Sequence, residues 1–165
     1  MLNQFQNRSV DDAIDEVIAH RHYLDSLNEK RVEELDYWIK RKNEEGTLHG
    51  SWYKYFYTEH FGLGVEDYAG LRVLDIGCGP RGSLEWAENA GERIGLDPLA
   101  DEYRKLRPEG YQMEMIAAGS ESIPFADGYF DIVASFNSLD HVDDLDKTIS
   151  EIKRVVCPGG YFLLL

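Results

Sequence analysis

One segment restricts the fold of this chain more than any other. Residues 71–76 form a short apolar run that passes directly into Gly77-Cys78-Gly79-Pro80-Arg81-Gly82. A continuous run of that length reads as a buried strand. The glycines after it let the chain turn sharply and leave the main chain open to a ligand. The alternation continues downstream. Residues 93–96, 113–117, 130–136 and 161–165 read as four further strands, with Ile132, Val133, Ala134 and Phe136 apolar enough for burial on both faces. Helices are expected over 83–90, over 100–106, and through Leu145, Ile149, Ile152, Val155 and Val156. Gly91, Pro108 and Pro158-Gly159-Gly160 end them. Strands alternating with helices imply an α/β architecture with a doubly wound, mainly parallel sheet.

Upstream of residue 70 the pattern is helical. Val10, Ala13, Ile14, Val17 and Ile18 make one apolar face behind a Ser9 cap, and Val32, Leu35, Trp38 and Ile39 make another that ends at Gly46. An aromatic cluster follows: Trp52, Tyr53, Tyr55, Phe56, Tyr57 and Phe61. The expected division is therefore 1–69 as an N-terminal helical extension and 70–165 as the sheet-bearing core. The chain stops inside its last apolar strand, so the C-terminal strands of a larger sheet are expected to be missing. The alternative is a short form whose exposed strand is covered by a partner or by self-association.

Composition narrows the function. With 31 acidic and 17 basic residues the net charge is -14, which repels phosphate backbones and argues against nucleic acid as the substrate. No apolar run is long enough for a bilayer, so no membrane association is expected, and the polar N-terminus does not read as a secretory signal. Cys78 and Cys157 have no CxxC spacing, which leaves no metal site to expect and points to reduced thiols in the cytoplasm.

The flanks of the turn decide its chemistry. Gly77-x-Gly79-x-x-Gly82 matches the dinucleotide fingerprint literally. Yet Asp75 stands two residues before the first glycine, where a carboxylate opposes a pyrophosphate and suits a ligand carrying an ammonium and a sulfonium. Asp97 lies twenty residues past Gly77. There it can accept both hydroxyls of a ribose, or simply form the turn before Pro98.

With these residues in view, the sequence resembles the class I S-adenosylmethionine (SAM)-dependent methyltransferases, of the small-molecule, methyltransferase type 11-like branch. The likeness covers residues 71–165 and rests on 73–79, 94–97, 120–131 (SESIPFADGYFD), 136–142 (FNSLDHV) and 151–160 (EIKRVVCPGG). It implies a Rossmann-like fold with S-adenosyl-L-methionine as cofactor and a small-molecule methyl acceptor. It further implies that Asp75, Gly77, Cys78 and Gly79 hold the methionine portion, that Asp97 and Pro98 meet the ribose, and that Ser120 and Glu121 flank the adenine. Two departures stand out. The turn is one residue longer than the commonest spacing, at Pro80-Arg81, and Gly119 stands where many relatives carry an adenine-binding aspartate.

Methyl transfer is an in-line displacement, so alignment and water exclusion matter more than a covalent nucleophile. Asn137 is placed to support the methionine end. His141 is either a general base or a brace for the following helix. Asp143, Asp144 and Asp146 suit that helix's N-terminus. Tyr53, Tyr57 and His60 either cover the cofactor's sulfonium or pack the N-terminal helices on the sheet. Two other readings stay open: a SAM-binding module without catalysis of its own, and an NAD-dependent oxidoreductase.

Overall fold

The computed structural model describes residues 29–165; the helix expected over Val10 to Ile18 lies outside them. Five strands form one parallel sheet: β1 (Arg72–Ile76), β2 (Glu92–Leu96), β3 (Glu114–Ile116), β4 (Phe130–Ser135) and β5 (Val156–Leu164), in the order β3-β2-β1-β4-β5. Among the described residues four α-helices accompany them: α1 (Glu29–Glu45), α2 (Tyr53–Tyr57), α3 (Ala100–Leu106) and α4 (Leu145–Val155). The order reverses between β1 and β4, so the sheet is doubly wound, as the alternation implied.

The central strands β1, β2 and β4 form because both of their faces are covered. Val73, Leu74, Asp75 and Ile76 of β1 are all buried, the mark of a central parallel strand. One face gathers Leu74, Ile76, Ile94, Leu96, Phe130 and Val133 against Ile152 and Val155 of α4. Each such side chain contributes roughly 1.5–3 kcal/mol by leaving water. Helix α4 starts where the Asp144 carboxylate accepts the Lys147 N–H at 3.0 Å, an N-cap that satisfies one orphan donor. Its last turn carries Lys153 and Arg154, favourable at the helix C-terminus.

Two stretches differ from the sequence pattern. No helix forms over 83–90. Three successive turns close there instead, with Glu85, Ala87 and Ala90 N–H groups bonded to Gly82, Leu84 and Ala87 carbonyls at 3.0–3.1 Å. Glu85 is drawn out of any helical face because its carboxylate accepts the N–H groups of Gln112 (2.9 Å) and Met113 (2.7 Å). Strand β5 begins five residues before the expected start. Val156 already pairs with Phe130, the register breaks around Pro158-Gly159-Gly160, and regular pairing resumes at Tyr161 opposite Ile132.

The chain divides into two compact units, Met1–Tyr37 and Trp38–Leu165. Of the first, the described part is helical, with Leu35 buried. The second holds the whole sheet, together with the aromatic segment around α2.

Candidate functional site

Ligands of open α/β sheets bind outside the carboxyl ends of the strands at the reversal of order. Here that reversal brings the end of β1 beside the end of β4. Gly77 leaves β1 with φ of +71° and is exposed. A side chain at this position would overlap the Cβ of Ser138, so residue 77 must stay a bare main chain. Ser138 is held in place by its hydroxyl, which donates to the Ile76 carbonyl at 2.8 Å and pairs with the Ser135 hydroxyl at 2.6 Å. Its neighbour Asn137 is exposed, with φ of +51°, and donates its N–H to the Leu165 carbonyl at 3.0 Å.

Asp75 lies beneath this rim and is only 2% exposed. Its carboxylate accepts from the hydroxyls of Ser83 and Tyr57. Burial pushes its pKa up to about 7, against the opposing pull of those two hydrogen bonds. Neither hydroxyl carries a positive charge. This donor set holds no cation, and the main chain two residues on, at Gly77, is exposed.

Asp97 is also buried. One carboxylate oxygen accepts the Gly79 N–H at 3.2 Å and the other the Leu99 N–H at 2.9 Å. It thus forms the turn before α3 and at the same time ties the glycine loop to the end of β2, with Pro98 exposed beside it. The Cys78 side chain turns inward and fills the space over Gly95 together with Met113. Burial drives its thiol well above the usual range.

The residues expected at the adenine sit at the start of α4. The Ser120 hydroxyl pairs with that of Thr148 at 2.9 Å. The Glu121 carboxylate accepts the N–H groups of Asp143 and Asp144 at 2.8 and 3.2 Å. His141 ends a short 3-10 turn (Leu139–His141), exposed, with its ring 3.5 Å from the Asp140 carboxylate. Of the aromatic candidates, Tyr57 is fully buried, its ring against Phe136 and Trp86 at centroid distances of 4.3 and 5.8 Å. Tyr53 is half-buried and stacks on Trp52, while His60 is exposed against Tyr55 and Phe61. The structure therefore brings Asp75, Gly77, Cys78, Gly79, Asp97, Asn137 and Tyr57 into one bonded neighbourhood. Ser120, Glu121 and His141 belong to the α4 entrance. Ser138, which follows the fourth strand beside Asn137, joins the first group, as do Ser83 and Arg81, neither of which was singled out in the sequence as a site residue. Only the extra residue at Pro80-Arg81 hinted at one of them.

Residues 74–164, from inside β1 through β5, match the family described as a methyltransferase domain. The chain belongs to that family. The matched span contains every site residue named above except Tyr53, Tyr57 and His60. This methyltransferase domain is 37% identical over 90 residues to a malonyl-[acyl-carrier protein] O-methyltransferase of Enterobacter lignolyticus, covering 54% of the chain and 36% of that protein. The chain thus spans about a third of the length of that relative. Among solved structures, it is similar to an S-adenosylmethionine-dependent methyltransferase of Mesorhizobium loti, at 25% identity and a TM-score of 0.50 over 59% of this chain and 47% of the other. The fold is also shared with a Methanococcus maripaludis protein, with 18% identity and a TM-score of 0.61 over 79% and 62% of the two chains. No group of three metal-ligating side chains occurs among the described residues, and no described helix is long and apolar enough to cross a membrane.

Proposed function

We propose that this methyltransferase domain binds S-adenosyl-L-methionine at the rim between β1 and β4 and transfers its methyl group to a small-molecule acceptor. The observation that carries the reading is the coincidence of the family match, residues 74–164, with the bare Gly77 rim over the buried Asp75. The related Mesorhizobium loti protein, described as S-adenosylmethionine-dependent, supports the choice of cofactor. Both cysteines are unbridged, which fits a reducing compartment, and the cytoplasm is the proposed location.

The residues divide the work by their exposure. Gly77, Pro98 and Asn137 offer accessible surface, whereas Asp75, buried and bonded to the Ser83 and Tyr57 hydroxyls, acts through its charge. When ionised it favours the cofactor's positive groups at the rim, and a bound cation in turn favours the ionised form. Asp97 holds the Gly79 amide in place and presents acceptor oxygens to the ribose hydroxyls. The bound cofactor supplies an electrophilic methyl group on sulfur. What the chain adds is alignment and the exclusion of water. His141 is the candidate to take a proton from the acceptor. If it does, His141→Gln lowers kcat and leaves SAM affinity unchanged, whereas a bracing role shows as lowered unfolding stability with kcat largely retained.

Titration calorimetry tests the cofactor directly. SAM and its demethylated product S-adenosylhomocysteine should bind, and NADH should not; NADH binding without SAM binding would reverse the reading. Asp97→Ala should weaken SAM by about ten- to a hundred-fold, the loss expected for hydrogen bonds to a charged group. Wild-type affinity in that variant would remove Asp97 from the site.

A further inference from the structure

The additional residue in the glycine turn places Arg81 in a setting that the proposed function does not use. Its guanidinium, with the side chain 10% exposed, makes a bidentate pair with the Glu45 carboxylate, both bonds at 2.8 Å. It also donates to the His49 carbonyl at 3.1 Å and lies over the Trp38 ring, 5.3 Å from its centroid. The main chain is pressed equally close. A Cβ on Gly50 would overlap the Arg81 carbonyl oxygen, and one on Gly82 would overlap the ring of Tyr111, whose hydroxyl donates to the Leu48 carbonyl at 3.3 Å. Residues 38–50 and Tyr111 therefore grip the turn from outside, while Asp97 holds the Gly79 amide from inside.

The turn requires such a grip. Gly79 and Gly82 both have left-handed backbones, at φ of +56° and +69°, with only Pro80 and Arg81 between them. Glycine adopts such angles at no steric cost, but it also leaves them freely, so the local sequence does not fix the turn. A planar, bidentate Arg–carboxylate pair fixes position and orientation together, which a lysine point charge does not. A mostly buried ion pair adds little net stability after desolvation and is better suited to specifying a geometry.

We propose that Arg81 is a positioning residue for the cofactor. Through Glu45 and Trp38 it holds the 79–82 turn in the shape that meets the amino-acid end of SAM, and it has no part in holding the nucleoside. This rests on the proposed SAM site, in which the glycine turn faces the methionine portion and Asp97 faces the ribose.

The test compares two ligands on the full chain: S-adenosylhomocysteine, and methylthioadenosine, which lacks the amino-acid end. Arg81→Ala and Arg81→Lys should weaken S-adenosylhomocysteine by about tenfold or more and leave methylthioadenosine within about twofold. Glu45→Gln should act in the same direction, and the exchanged pair E45R/R81E should recover part of the loss. An equal loss for both ligands, or none for either, overturns the proposal, since general destabilisation does not separate the two ends of one cofactor. Amide hydrogen exchange of Arg81→Lys without any ligand provides a second readout. Faster exchange confined to the 79–85 amides supports the grip, and unchanged exchange overturns it. If the wild-type chain binds no S-adenosylhomocysteine, the cofactor reading fails by itself, and the exchange experiment decides whether Arg81 sets the turn.

Discussion

Strand β1 carries a charged residue near each end, and the two ends treat charge in opposite ways. At the start, the Asp131 carboxylate accepts the Arg72 main-chain N–H at 2.8 Å and its side chain at 3.2 and 3.4 Å. The guanidinium lies over the Tyr129 ring, whose hydroxyl reaches the Glu92 carboxylate at 2.8 and 3.0 Å. The Arg72 side chain holds Asp131 below the usual carboxylate range. Three residues later, Asp75 is bonded only by hydroxyls, and burial raises it to about 7. The paired end stabilises the sheet. The other end keeps a carboxylate at a cost to stability, which is the signature expected of a binding site.

The two ends also respond oppositely to pH. Asp75 has a folded pKa above its unfolded value, so the stability it allows is fully present below about pH 4 and is lost as pH rises to about 7. Asp131 has a lowered folded pKa, so its contribution is present above the unfolded value near 4 and is lost as pH falls through the folded one.

The strongest challenge to this contrast is Asp75→Asn. It should weaken SAM at least tenfold and yet raise unfolding stability at pH 8 by about 1–3 kcal/mol, less than the full titration penalty because the amide must also donate. The gain should shrink toward pH 5 in urea titrations. A variant less stable at pH 8 would mean that Asp75 is structural. Gly77→Ala comes next, with an expected loss of about 2 kcal/mol from the left-handed backbone and the overlap with Ser138. Calorimetry should also show SAM binding reduced. At the paired end, Asp131→Asn should cost about 1 kcal/mol near neutral pH, kept modest by partial exposure to solvent. SAM affinity should be unchanged, and the difference from wild type should narrow as pH falls below 4. A clear change in SAM binding there would erase the distinction between the ends.

Much of this architecture is legible in the sequence because the local signals agree with the fold. Apolar runs mark β1, β2 and β4 to within a residue or two, and α3 lies where the residues before Pro108 place it. Positions 83–90 defeat the same reasoning. Leu84 and Ala87 suit a helix, but Glu85 answers to main-chain amides almost thirty residues away. The site divides along the same line. Asp75, Gly77 and Asp97 stand out in the sequence because they lie at or just past the ends of apolar strands at fixed offsets, although their partners Ser83, Tyr57, Ser138 and Gly79 lie elsewhere along the chain. Arg81 and Ser138 acquire their roles from Glu45, thirty-six residues off, and from Ile76, sixty-two residues off. Glu121 shows the limit on single side chains: its carboxylate serves the amides that open α4.

Asn137 ties the rim to time as well as to space. Its N–H is fixed by the Leu165 carbonyl, and the Leu165 N–H in turn bonds to the Ser135 carbonyl. As the chain is synthesised from its N-terminus, β1, β2, the glycine turn and β4 all emerge before the residue that secures Asn137. The last residue to secure one wall of the rim is therefore supplied by the end of β5, so in order of synthesis that edge is set after the buried carboxylate and the glycine turn have been made.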